Sequence, residues 1–181
     1  MVLSQEDGKL FCRLFMPLLD FVNQKYRIRK SLLQSVNPIK PDYEALILAT
    51  ERLWSEVSLI DEYLNICEDM PQEHRDILCS WKRCVRGTFV LDRYRRGAGI
   101  LVSAEDKKVY KVLGITSSFP EMFQHTHLPL IMDAAILPFR NVIITDGLFQ
   151  TQSAVLSDRI AQEIADIYLE AKANNTIIEK L

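Results

Sequence analysis

The sequence predicts an α+β fold in which N-terminal helices lead into a small antiparallel sheet or partly open barrel, followed by a C-terminal helix. Three observations predict it. Up to residue 86, apolar residues recur at three- and four-residue spacing, the stripe of helices that bury one face. From Gly87 to Leu148 that spacing gives way to short apolar runs separated by turn residues, the rhythm of hairpin-connected strands. After Ser157 the helical spacing returns. The expected organisation is a helical part at 1–86, a β part at 87–150 and a C-terminal helix within 151–181 packing on the same domain, one domain overall.

Ser4 is placed to cap the first helix, with Glu6 and Asp7 at the positive end of its dipole. Leu10, Phe11, Leu14, Phe15, Leu18, Leu19 and Val22 form its buried stripe. Pro17 removes one intrahelical hydrogen bond and is expected to kink or divide the helix. The basic segment 25–30 leads into a loop closing at Asn37-Pro38, and Pro41 suits the first turn of a second helix carrying Leu46, Ile47, Leu53, Trp54 and Val57. Ser58 opens a third over Leu59, Ile60, Tyr63, Leu64 and Cys67. Pro71 opens a fourth over Ile77, Leu78, Trp81, Cys84 and Val85, with Gly87 expected to stop it.

The apolar runs 87–91, 100–102, 109–113, 136–139 and 142–144 read as strands, with turns at 97–99, 103–107 and Arg140-Asn141. Pro138 marks an edge strand or a bend. Residues 117–123 read as a loop or single helical turn packed by Phe119 and Phe123. A last helix spans 157–173, with Ile160, Ile164, Ile167, Tyr168 and Ala171 on one face. It ends at Asn174-Asn175, and Ile177-Ile178 is too apolar for a free tail and is expected to dock back on the body.

Composition bounds the function classes. The chain has 181 residues, 48% hydrophobic and 25% charged, an ordinary globular mixture with a net charge of −2 that draws it to neither nucleic acid nor anionic membrane. The charge is uneven, however. Residues 31–79 hold three basic against ten acidic side chains, and residues 80–111 hold nine basic against three acidic. Cys12, Cys67, Cys79 and Cys84 sit in helical apolar patterns without C-x-x-C spacing, so reduced, mostly buried thiols in a cytoplasmic protein are expected. Residues 1–7 lack the basic region of a signal peptide, and no apolar run is long enough to span a membrane.

Few groupings carry chemistry. His125-Thr126-His127 places two imidazoles on one strand face, but Glu121 and Asp133 follow no metal-ligand spacing, so exposed loop residues are the better account and no metal or cofactor is expected. Ser117-Ser118 lacks a nucleophile elbow. Asp146-Gly147 reads as a turn before it reads as a catalytic carboxylate. The strongest candidate is the basic run Lys82, Arg83, Arg86, Arg93, Arg95 and Arg96. Within it Arg86, Arg93, Tyr94, Arg95 and Arg96 are the residues expected to bind a ligand or nucleic acid, since guanidinium groups with an interleaved aromatic hold phosphates and stack bases. The competing account pairs these cations with the acidic second and third helices.

The order of Trp81, Lys82, Arg86, Gly87 and Phe89, then Val109, Tyr110, Val112, Gly114 and Ile115, then Leu128-Pro129, Leu137-Pro138-Phe139, and Ile143, Ile144, Asp146 and Gly147 resembles an uncharacterised bacterial protein family. Some of its members carry an added cysteine-rich SEC-C zinc motif. The likeness covers roughly residues 40–181 and is clearest over 81–147. Thr145 stands where the pattern has an aromatic, and no Cys-x-Cys pair occurs, so the zinc of a SEC-C motif is not implied. The resemblance implies a stand-alone α+β domain and brings no activity.

The sequence thus points to a non-enzymatic interaction or regulatory domain that binds a protein partner or a second copy of itself, with no membrane contact. The alternatives are a nucleic-acid-binding accessory protein using the basic surface at 82–96, and a hydrolase or transferase with a site assembled from Asp146, His127 and Tyr110.

Overall fold

A computed structural model describes residues 1–29, 32, 43–152 and 156–181. Asn37-Pro38 and Pro41 lie outside the described residues. The chain divides into two compact units, one of residues 6–82 and one of residues 1–5 with 83–181.

The first unit is helical: α1 (Gln5–Tyr26), α2 (Tyr43–Ser55), α3 (Leu59–Ile66) and α4 (Gln72–Ser80), with a 3-10 turn beginning at Trp81. The expected apolar stripe of α1 is buried except for half-buried Leu10, and the helix runs through Pro17 undivided. Its core is aromatic. Phe15 stacks on Phe11 at 5.0 Å and on Trp54 at 6.0 Å, and Trp81 meets Phe11 at 5.4 Å. Two buried polar residues organise the end of α1. Asp20 accepts the Leu32 amide (3.0 Å), and Asn23 both accepts from the Arg29 amide and donates to its carbonyl. The Arg75 guanidinium donates to the carbonyls of Leu64 and Cys67, satisfying orphan acceptors at the end of α3.

The second unit is built on β1 (Val85–Arg95), β2 (Ala98–Ser103), β3 (Val109–Leu113), α5 (Phe119–Met122), β4 (Leu130–Phe139), β5 (Val142–Thr145), β6 (Gln150–Thr151) and α6 (Asp158–Ala173). The strand order β1-β2-β3-β5-β4, with β4 also paired to β1, closes a ring of five strands. All pairs in that ring are antiparallel except β3 with β5, so the sheet is mixed. With β4 beside β1 this is a Greek-key connection, as in the small five-stranded barrels that include OB-folds.

Strand alternation sends Phe89, Leu91, Leu101, Tyr110, Val112, Met132 and Ile143 into one cluster inside the ring. Val90, Ile100, Val102 and Val109 point the other way, where Ile164, Tyr168 and Ala171 of α6 cover them. A bulge at Asp92 shifts the β1–β2 register and bends β1. Phe119 packs so closely over Gly99 that a Cβ there would lie 2.5 Å from its ring, so the inner wall needs glycine at that point.

Gly87 corrects one expectation. The fourth helix ends at Ser80, and Gly87 lies inside β1 opposite Ala134, exposed and with open space around it. As expected, Ile178 docks. It bridges Tyr110 in parallel, donates to the Val109 carbonyl (2.8 Å) and accepts from the Lys111 amide (3.0 Å). The short β3–β5 pairing leaves that edge of β3 available, and Val2 takes a place on the same strand's exit at Gly114.

The cysteines correct a second expectation. All four are free, but Cys12 and Cys79 are exposed and Cys67 and Cys84 only half-buried. Cys12 and Cys79 lie off the buried faces of α1 and α4, Cys67 just past the end of α3, and Cys84 in the connection before β1.

Candidate functional site

The five residues singled out in the basic run do not form one surface. Arg86 lies near the start of β1, exposed and opposite Ala135, and Arg96 lies past its end, so about 30 Å of extended strand separates them. Arg93 faces outward, pairs with the neighbouring Asp92 carboxylate and lies over the Tyr168 ring, 4.2 Å from its centroid. Tyr94 faces inward, opposite Gly99, and its hydroxyl is buried without a hydrogen-bond partner. Burial raises its pKa. Arg95 and Arg96 remain together at the β1–β2 turn, where Arg96 adopts a left-handed conformation (φ 52°).

One cation of the cluster pairs with an acidic helix. Lys82 pairs with Asp61 of α3 at 2.8 Å, and Arg83 donates to the Leu181 carbonyl at 3.4 Å. Among the described residues no carboxylate pairs with Arg86, Arg95 or Arg96. The outer face of β2 and β3, where five-stranded Greek-key barrels commonly hold oligonucleotides, is apolar here and lies beneath α6.

Next to the β1–β2 turn lies an aromatic group at the barrel margin that the sequence did not reveal as a unit. The Phe119 amide donates to the Gly97 carbonyl (3.3 Å), tying α5 to the β1–β2 turn. Glu121 accepts from both the amide and the hydroxyl of Ser118, at 2.7 Å each, and those bonds lower its pKa. α5 thereby sets Phe119 into the barrel and leaves Phe123 at its rim. Phe149, after β5, meets Phe119 at 5.9 Å and Phe123 at 5.4 Å, edge to face in both cases. Met122, Phe123, Leu128 and Phe149 are only partly buried, and His125 and His127 beside them are exposed. The missing signal was long-range: Phe149 lies far from Phe119 and Phe123 in sequence and meets them only in the folded barrel.

The residues of the hydrolase reading lie apart in the fold. His127 is in the loop before β4, Tyr110 is inside the barrel against Phe89 (6.0 Å), and Asp146 is buried after β5. The Asp146 carboxylate accepts the Leu148 amide at 3.0 Å, the turn role its Asp-Gly setting implied. Among the described residues no group of three or more His, Cys, Asp or Glu is placed to hold a metal ion, and no helix is long and apolar enough to cross a membrane. On the helical unit an open groove of about 390 Å³ is bordered by Arg13, Ile66, Cys67, Met70 and His74.

No protein-family model, curated protein or solved structure matches this chain.

Proposed function

We propose that this protein is a non-enzymatic interaction domain that contacts a protein partner through its barrel mouth. The observation that carries the reading is the group of only partly buried apolar side chains, Met122, Phe123, Leu128 and Phe149, at the barrel margin. An apolar, aromatic centre is the composition of energetically important protein contacts. The rings are fixed by mutual packing and by the capped α5, so little ordering is needed on binding. The four free thiols support a reducing, cytoplasmic setting for that contact.

A photo-crosslinking residue placed at position 125, in the mouth loop, tests this in native cells against the same residue at position 105, on the β2–β3 turn. A discrete adduct is expected from 125 and not from 105, and it should disappear in a Phe123→Ser/Phe149→Ser background. Equal labelling from both positions, or none from either, overturns the reading.

A further inference from the structure

We propose that the groove on the helical unit is a soft-metal site, in which Cys67, Met70 and His74 hold one Cu(I) ion; it is independent of the barrel-mouth contact above. Three observations carry it. The first is which side chains turn toward the groove. From Asn65 to His74 every residue is exposed except Cys67, Met70 and His74, which are half-buried and all border the groove. A thiol, a thioether and an imidazole are donors that a soft monovalent copper ion accepts. Glu68 and Asp69 also border the groove, but both are exposed, and among the described residues no third His, Cys, Asp or Glu joins Cys67 and His74. Zinc takes three or four donors of those kinds, so a set whose third member is a thioether favours Cu(I).

The second observation is the backbone that carries the donors. The Met70 amide donates to the Cys67 carbonyl (3.3 Å), closing a turn that brings positions 67 and 70 close together. Their spacing is that of the C-x-x-C pairs from which metal sites are built, with methionine as the second member. The His74 amide donates to the Pro71 carbonyl (3.0 Å) in the first turn of α4. The next residue, Arg75, donates to the Cys67 carbonyl at 2.8 Å and to that of Leu64 at 3.2 Å, which pins this first turn against the end of α3.

The third is the support around the thiol. The hydroxyl of buried Tyr63, one turn earlier on α3, hydrogen-bonds Cys67. Donors of this kind orient a ligating group and steady its charged form. Cys67 would bind as the thiolate, releasing its proton to water as the metal–sulfur bond forms. Thiolate and Cu(I) together carry no net charge, so the Arg13 guanidinium at the groove's border does not repel the bound ion as it would a divalent one. Met70 has three rotatable bonds and a polarizable sulfur, which let its thioether turn onto an ion seated at Cys67.

The test titrates the full chain with Cu(I) under anaerobic conditions against the chelator bathocuproine disulfonate. A Cys12→Ser/Cys79→Ser background removes the two exposed thiols, and thermal melting is the fold control. One equivalent of Cu(I) should be retained, and X-ray absorption should show two sulfur neighbours and one nitrogen. Cys67→Ser should abolish retention, and Met70→Leu and His74→Phe should each weaken it by about tenfold or more, since even outer partners of a ligand cost that much. The last two variants change partly exposed side chains and keep the test valid if Cys67→Ser does not fold. No retention, or retention unchanged in Cys67→Ser, overturns the proposal. Retention that needs Cys67 but ignores both Met70→Leu and His74→Phe marks an ordinary thiol and overturns it as well. Uptake of Zn(II) in place of Cu(I), with oxygen rather than a second sulfur at the metal, overturns it in favour of a zinc site.

Discussion

The guanidinium of Arg93 lies 4.2 Å from the centre of the Tyr168 ring and joins the outer end of β1 to the helix that covers the sheet. Tyr168 is only 5% exposed and belongs to the cluster beneath α6. Tyr168→Ala should therefore cost about 3 kcal/mol, in the range of large aromatic truncations. Tyr168→Phe keeps the ring and should stay within about 1 kcal/mol. Urea denaturation of the two variants checks this, and equal midpoints would show that the ring contributes nothing to holding α6.

Gly99→Ala should destabilise the barrel by about 1–3 kcal/mol, because the new methyl group would sit 2.5 Å from the Phe119 ring. Phe119→Leu in the same chain should recover part of that loss, since the two sites are in contact and couple. A thermal melt of the single and double variants gives the coupling directly. Additive losses would place the strain elsewhere.

Thiol reactivity should follow exposure rather than helical pattern. In native protein at pH 8, Cys79 should react readily and half-buried Cys67 and Cys84 slowly; all four should react after denaturation. Burial pushes the thiol pKa of Cys12 up, which slows an otherwise exposed group, and pushes that of Cys84 up as well. Timed labelling with mass spectrometry of the peptides distinguishes the four sites.

Alkaline pH should weaken the fold. Burial, followed by its hydrogen bond with Cys67, pushes the Tyr63 hydroxyl up to about 12, and burial also raises Tyr94 and Tyr110. The unfolded chain releases these protons near the ordinary tyrosine value of about 10, whereas the folded chain holds them. Stability from these groups is therefore fully present below about pH 10 and is lost as pH rises toward 12. Urea midpoints across pH 8–11.5 should fall at the upper end, and Tyr63→Phe should flatten the fall. A Tyr63→Phe curve parallel to that of the parent would show that another group governs it.

Strands whose inward and outward residues are both apolar were legible in the sequence; those with charged or small outward residues were not. Ile100, Leu101 and Val102 announce β2 because one face fills the barrel and the other lies under α6. β1 runs on to Arg95 unannounced, since the cover over Arg93 is a ring supplied by Tyr168, from a distant helix. The first half of β4 was hidden because Asp133 faces outward to bond Thr88 (2.6 Å) and Ala134-Ala135 carries little strand signal. Gly87 looked like a helix stop because glycine marks stops and open strand positions alike. The candidate site suffered most. Neighbours in a strand point to opposite faces, so once β1 extends through them Tyr94 turns inward, away from the face that Arg93 and Arg95 share.

The two ends of the barrel unit meet on one strand, and that sets an order of events in the making of the protein. Lys111 on β3 and Glu179 are 68 residues apart, and the Met1 amino group reaches the Arg96 carbonyl across 95. Contacts of such separation form late, after the local pairing of β1 with β2 and β3. Until residues 176–178 emerge and dock, β3 presents an unsatisfied edge able to pair with any other nascent chain. The hazard of misassembly is thus concentrated in the interval between synthesis of β5 and arrival of the tail. It should lengthen or shorten with the speed at which that last stretch is translated.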